Sequence, residues 1–322
     1  MPVNVPVGNK KTEVVALGGN ALARAGEPAS ISNQFRHTRE SLSPIVELAR
    51  AGWRIALVHG NGPQIGDELV RNETAVGLVE PLPLGVLVAG TAGWIGYMIQ
   101  QSLQNALHAA GIDRPVVTLI TQTEVDPADP QLHIPVKRAG HPLDADAAHR
   151  LEARGVPVKQ DADGKHWHRL TVSPVPIGVA EAPLVERLVG EGVIVIAAGG
   201  GGPPVYREPA GRLEGVDGVV DKDRVSAVLA RDLGAEVLII LADVDAVYRA
   251  WGTPTAAPIR TMTLAEADAL LASGTLEKGS IAPKVEAGAA FVRAGGARAV
   301  IARGSDGQAA LEGRTGATIV RV

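Results

Sequence analysis

Cysteine is absent from the chain, which excludes disulfides, thiolate metal ligands and cysteine nucleophiles. Aromatic residues make up only 3% of the sequence, so Val, Leu, Ile and Ala must build the core. Side chains of that size suit close layers of strands and helices. A basic excess is also missing: the formal net charge is -4, which argues against a general nucleic-acid binder. No apolar run approaches a membrane span; the longest, such as Val193–Ala198 and Val237–Ala242, have strand length. Met1 to Lys11 carries no apolar stretch of signal-peptide length. The expectation is a cytoplasmic protein that partners neither membrane nor nucleic acid.

What remains is 322 residues that are 46% hydrophobic and 20% charged, enough for a sizeable core in one large domain or two lobes. Val14–Leu17 runs into Gly18-Gly19-Asn20, the pattern of a strand, a tight loop and a helix start with Asn20 as N-cap. Helical spacing then puts Phe35, Leu42, Ile45 and Ala49 near one face, with Pro44 expected to kink or interrupt the helix. Arg54–Val58 predicts a second strand, entering His59-Gly60-Asn61-Gly62-Pro63. Leu84–Ala110 predicts one long helix or two shorter ones, and Pro115–Val125 a return to strand. Asp126–Pro176 mixes Pro, His, Asp, Lys and Arg without sustained apolar periodicity, and is expected to be an inserted, solvent-rich lid. Helices Ala182–Gly190, Lys222–Leu233 and a final Lys284–Ala294 then alternate with strands Val193–Ala198, Val237–Leu241 and Ala299–Ala302, before Ala317–Val320 closes the chain. Such alternation predicts a mostly parallel sheet covered on both faces, with ligands at the carboxyl ends of the strands.

Three glycine-rich loops follow strands: Gly18-Gly19-Asn20, Gly60-Asn61-Gly62 and Gly199-Gly200-Gly201-Gly202. Each alone is what a tight turn requires. Three at one sheet edge suggest backbone N–H groups gathered around an anion. No GxxxxGK[ST] occurs, and the glycines after His59 have the wrong spacing for a dinucleotide fingerprint. Lys222, between Asp221 and Asp223, and Lys284, after Pro283, both sit at predicted helix starts. A cation there opposes the helix dipole, which makes sense if an anion lies between. Singly, either lysine would equally extend into solvent or pair with Asp221 or Asp223. Together with the glycine loops they point to phosphoryl transfer, which needs positioning and positive charge rather than a covalent catalyst. Asp221 is expected to hold the lysines, and Mg²⁺ to ride on nucleotide phosphates. His133, His141, His149, His166 and His168 complete no metal motif and are expected at the surface. His59 is expected to be a packed strand-end residue.

Val14–Leu22 (VVALGGNAL), Val58–Gly66 (VHGNGPQIG), Ile95–Leu103 (IGYMIQQSL), Val193–Val205 (VIVIAAGGGGPPV), Val219–Asp223 (VVDKD), Leu241–Tyr248 (LADVDAVY) and Gly279–Glu286 (GSIAPKVE) resemble, in order, the motifs of carbamate kinases. The resemblance implies the amino acid kinase fold, a three-layer α/β/α sandwich around a mainly parallel sheet with a protruding subdomain. It implies an acceptor lobe over 1–205, with the lid at about 126–176, a nucleotide lobe over 206–322, and a homodimer. By position, Gly18, Gly19, Asn20, Gly60, Asn61 and Gly62 would surround carbamate and the transferring phosphoryl group. Lys137, Lys222 and Lys284 would neutralise it and Asp221 would orient them. Gly200, Gly201, Asp243, Val244, Tyr248 and Lys284 would serve ATP or ADP. Two segments depart from the family pattern. Lys137-Arg138-Ala139-Gly140-His141-Pro142-Leu143 stands where KPIGPFY is usual, and Thr91-Ala92-Gly93 where SQG is usual. Both leave room for another small-acid acceptor; a catalytically silent nucleotide-binding subunit is the other alternative.

Overall fold

The computed structural model describes residues 11–19, 22, 23, 26–276 and 281–322. In chain order it begins with β1 (Thr12–Leu17), α1 (Ile31–Ser41), α2 (Ser43–Arg50), β2 (Arg54–His59), α3 (Gly62–Thr74), α4 (Leu84–Ala109), β3 (Val116–Thr118) and β4 (Thr123–Val125). Next come β5 (Lys137–Leu143), α5 (Ala145–Glu152), β6 (Val158–Gln160), β7 (Trp167–Thr171), β8 (Pro176–Val179), α6 (Ala182–Gly190), β9 (Ile194–Ile196), β10 (Pro204–Arg207) and β11 (Leu213–Gly215). The remainder is α7 (Lys222–Asp232), β12 (Val237–Ala242), β13 (Val247–Arg249), β14 (Ala257–Ile259), β15 (Thr261–Thr263), α8 (Leu264–Ala272), α9 (Ala282–Arg293), β16 (Arg298–Arg303), α10 (Gly307–Leu311) and β17 (Ala317–Val320).

An eight-stranded sheet with order β15-β17-β16-β12-β1-β2-β9-β3 forms the central layer. Its neighbours run parallel except for β16 and β17, which are antiparallel. Central strands are apolar without interruption because both of their faces are covered. On β1, Val14 and Ala16 point into a core shared with Val185 of α6, Leu229 of α7 and Phe291 of α9. Val15 and Leu17 point into the opposite core, with Ile45 of α2 and Met98, Ile99 and Leu103 of α4. The mostly parallel, doubly covered sheet expected from the alternation, and the three-layer sandwich that the resemblance implied, are the observed architecture.

Several boundaries differ from the sequence reading. The expected cap Asn20 lies outside the described residues; the first described helix, α1, is capped by the Ser30 side chain, which accepts from the N–H of Asn33. Pro44 ends the expected single helix, falling in the first turn of a separate α2 where its missing N–H costs nothing. Leu84–Ala109 is one helix of 26 residues. Residues 115–125 split between β3, in the large sheet, and β4, in a separate four-stranded sheet of order β11-β10-β4-β8. Within the expected inserted segment, β5, β7 and β6 form their own antiparallel sheet, with α5 beside it. Four helices, α3, α5, α8 and α10, were not anticipated. α3 is largely polar, and α8 is closed at its start by a capping box between Thr263 and Glu266. α9 is followed by the short α10, so it is not the final helix. No described helix is long and apolar enough to cross a membrane.

Candidate active site

The carboxyl ends of β1, β2, β9 and β12 open onto a cavity of about 540 Å³. Gly18, Gly19, Gly60, Asn61, Gly62 and Gly200 line it from the three glycine loops. Space, more than donor supply, explains several of these glycines. Gly18 and Gly60 give their N–H groups to the carbonyls of Leu241 and Leu17, each at 3.0 Å, so neither amide is left to bind an anion. A Cβ on Gly60 would lie 3.1 Å from Cδ of Lys222, whose stem crosses the loop there. The four-glycine run is tighter still. Gly200, Gly201 and Gly202 have φ of +66°, +92° and +72°, and added Cβ atoms would approach Asn61 Nδ2, Val220 O and Thr123 Oγ1 to 2.3, 2.2 and 2.6 Å. Only glycine fits such positive φ without strain. Gly201 packs behind the wall of the cavity rather than on it. The Asn61 side chain donates to Thr91 Oγ1 at 2.9 Å, tying the second loop to α4.

Beneath these loops, His59 is fully buried, with Nδ1 3.0 Å from the carbonyl oxygen of Gly60. Burial holds its pKa down to about 4, although its backbone hydrogen bonds to Gly60 and Ala92 favour the charged ring. The imidazole is therefore neutral at neutral pH and acts as packing, as the sequence suggested. Ala92, at the position where the sequence departs from SQG, is buried and does not reach the cavity wall.

Three lysines meet at the cavity from distant parts of the chain. Lys137 extends from β5 and donates to Asp221 Oδ2 at 3.1 Å. Lys222, in the first turn of α7, donates to Asp223 Oδ1 at 2.5 Å. Lys284, in the first turn of α9, donates to the other oxygen, Asp223 Oδ2, at 3.1 Å. The holding task expected of Asp221 alone is thus divided. Asp221 serves Lys137 and caps α7 by accepting from the N–H groups of Asp223 and Arg224. Burial opposes ionisation of Asp221, but the charges of Lys137 and Lys222 and these hydrogen bonds outweigh it and keep the carboxyl below its ordinary range. Asp223, missed by the sequence reading as the common anchor, has a side chain only 5% exposed and bridges Lys222 and Lys284. The available signal was its place two residues after an N-cap, in the first turn of a helix whose inner face is apolar.

Asp243 and Val244, just beyond β12, also line the cavity. Tyr248 does not; it borders an adjoining apolar recess of about 60 Å³ that shares Val244 and includes Trp251, Leu276 and Ile281. Its ring lies 4.9 Å from that of Trp251, and its hydroxyl donates to Asp245 Oδ2 at 3.0 Å. Arg138, Ala139 and Gly140 of β5 complete the cavity wall. Of the histidines expected at the surface, His168 is instead buried, with Nε2 2.9 Å from Asp161 Oδ2.

The model of the amino acid kinase family matches residues 11–303. The chain belongs to this family. Among similar amino acid kinases, carbamate kinase of Pyrococcus horikoshii is 40% identical over 309 residues, covering 95% of this chain and 98% of that one. Carbamate kinase of Escherichia coli K12 is 41% identical over 310 residues, covering 96% and 99%. The solved structure of Giardia lamblia carbamate kinase bound to AMP-PNP matches with a TM-score of 0.90 and 34% identity, over 97% of this chain and 99% of that one. In this amino acid kinase, no group of three or more His, Asp or Glu residues that could cage a metal is found among the described residues. Asp221 and Asp223 already accept from lysines. This donor set fits a Mg²⁺ carried on phosphate oxygens and water, not one held in a protein cage.

Proposed function

We propose that this amino acid kinase transfers a phosphoryl group reversibly between ATP and carbamate, so that carbamoyl phosphate and ADP give ATP and carbamate. The observation that carries the reading is the convergence of Lys137, Lys222 and Lys284 on one cavity among glycine loops. The carbamate kinases among its relatives name the acceptor. A terminal oxygen of ADP attacks the phosphorus of carbamoyl phosphate. The phosphorus–oxygen bond to carbamate breaks, and its electron pair leaves with carbamate. No covalent enzyme intermediate forms and no proton need move. Charge on the transferring group is met by the three ammonium groups, held in place by Asp221 and Asp223. Gly18, Gly19, Asn20, Gly60, Asn61 and Gly62 make room for carbamate and that group, while Gly200, Asp243, Val244, Tyr248 and Lys284 serve the nucleotide and Gly201 lets the four-glycine loop turn behind the wall. When bound, Mg²⁺ would be held by the nucleotide phosphates and water and would offset phosphate charge.

In the same reading, residues 1–205 form the acceptor lobe, 126–176 its lid, and 206–322 the nucleotide lobe. The protein is a cytoplasmic homodimer, which light scattering and fractionation test. The deciding assay is coupled detection of ATP from carbamoyl phosphate, ADP and Mg²⁺, beside Lys222→Ala and a panel of other acyl phosphates. No ATP above the Lys222→Ala background refutes the reading. Turnover of a different acyl phosphate alone favours another small-acid kinase, and ATP binding without transfer a silent subunit.

A further inference from the structure

The lid strand β5 lies along α3, the helix that begins in the second glycine loop. Lys137 and Ala139 share one face of that strand, and beyond a break in its pairing with β7 the exposed His141 meets α3 at the surface. Lys137 meets Asp221. Ala139 is 6% exposed in a small core with Ile65 and Leu69 of α3. His141 Nε2 lies 2.8 Å from Asp67 Oδ1, on the next residue of the same helix after Gly66. The approach is close: a Cβ on Gly66 would come within 2.8 Å of His141 Nε2 and 3.0 Å of two ring carbons. Gly140, at φ +83°, lets the strand bend there, where its own Cβ would sit 3.1 Å from Leu69 Cδ1. Farther along α3, Glu73 accepts from Arg169, which stands opposite Ala139 on β7, at 2.9 Å. The lid is therefore fastened to the rod whose first turn, at Gly62, borders the cavity.

We propose that His141, Asp67 and Gly66 form a clasp that docks the lid strand on α3 and so positions Lys137 over the acceptor loop. The clasp belongs to this chain's departure from the KPIGPFY pattern: position 141 carries a histidine that reaches α3. The proposal rests on the role given to Lys137 above. His141, Asp67 and Gly66 are positioning residues, since none of them donates to the reacting group.

The test compares His141→Ala, His141→Gln and Gly66→Ala in the full protein, by coupled ATP formation and by hydrogen exchange of β5. Ala is the better helix former, so a loss in Gly66→Ala is not a failure of α3 to fold. The Ala variants are expected to lose about tenfold in kcat with KM for ADP changed less than about twofold, the cost of a displaced ammonium group. His141→Gln, which can still donate to Asp67, is expected to recover most of it. In a Lys137→Ala background, Gly66→Ala should change kcat less than about twofold, because it acts through Lys137. Faster exchange in β5 should accompany both Ala variants. Wild-type kcat in both Ala variants overturns the proposal, as does an undiminished loss in the Lys137→Ala background. If the wild-type protein makes no ATP, the reading of its reaction fails separately. Exchange then still judges the clasp, and unaltered β5 protection in both Ala variants overturns it.

Discussion

Replacing Asp223 by Asn preserves shape while removing the charge on which two lysines converge. The carboxylate offers one oxygen to Lys222 at 2.5 Å and the other to Lys284 at 3.1 Å, in side chains exposed by only 5%, 16% and 14% for Asp223, Lys222 and Lys284. An amide has a single acceptor oxygen, so one ammonium group must face its NH₂ donor. Two ammonium groups about 6 Å apart repel by about 3 kcal/mol at an effective dielectric constant near 20, with no carboxylate left to offset it. Relief requires one lysine to swing away. Displacement of about 1 Å costs on the order of a hundredfold in rate. Breaking a buried ion pair from one side costs about 3–5 kcal/mol of stability, with the lower end expected beside a wet cavity. Coupled ATP formation should therefore show kcat down about a hundredfold, with Tm lower by about 5–10 °C. Added ADP and carbamoyl phosphate should restore part of the Tm, because their phosphates replace the missing negative charge. A variant within about twofold of wild type in kcat and with an unchanged Tm would refute the reasoning.

Three other outcomes follow from buried groups. His59 titrates at about 4 when folded, because it is buried, and near 6.5 when unfolded, so stability should decline by up to about 3 kcal/mol as pH drops through that window. His59→Gln should flatten the decline in urea melts at pH 7 and 4.5, and an unchanged slope would contradict it. Glu13 is fully buried, with neither carboxylate oxygen hydrogen-bonded among the described residues; burial pushes its pKa well up, and the charge of Arg298 only partly opposes this. In that case the folded state keeps a proton that the unfolded chain releases, so stability drops as pH rises above the ordinary carboxylate range. Glu13→Gln should raise Tm at pH 8 and leave it unchanged at pH 4; the reverse order would show that Glu13 is ionised in the fold. Gly201→Ala places a methyl group 2.2 Å from Val220 O at φ +92°, and should cost at least ~3 kcal/mol in urea melts. Wild-type stability there would mean that the loop relaxes freely.

Unbroken apolar runs such as Val14–Leu17 and Val237–Leu241 made the central sheet legible, since burial on both faces leaves little other composition possible. The gathering of glycine loops and lysines at the strand ends was legible from residue type and from their place after strands. Elements of three residues, such as β4, β6 and β11, carry too little pattern to be read. The largely polar α3 hid for another reason: its apolar stripe is only Ile65 and Leu69 among mostly polar neighbours. Which of two carboxylates holds which lysine follows from their positions at the helix start. Asp221, extended at φ −69° and ψ 123°, folds back on its own helix start, whereas Asp223 sits inside the first turn and faces inward. His141 was passed over because its partner, Asp67, is 74 positions away.

Because Lys284 comes from α9, the pocket acquires its last ammonium group only when nearly all of the chain has been made. A nascent protein still missing that helix holds Lys137 and Lys222 but leaves one oxygen of Asp223 without its lysine. Truncation before Ala282 should thus yield an inert fragment, and supplying the missing piece in trans is the natural way to ask whether the three-lysine pocket can be assembled from parts.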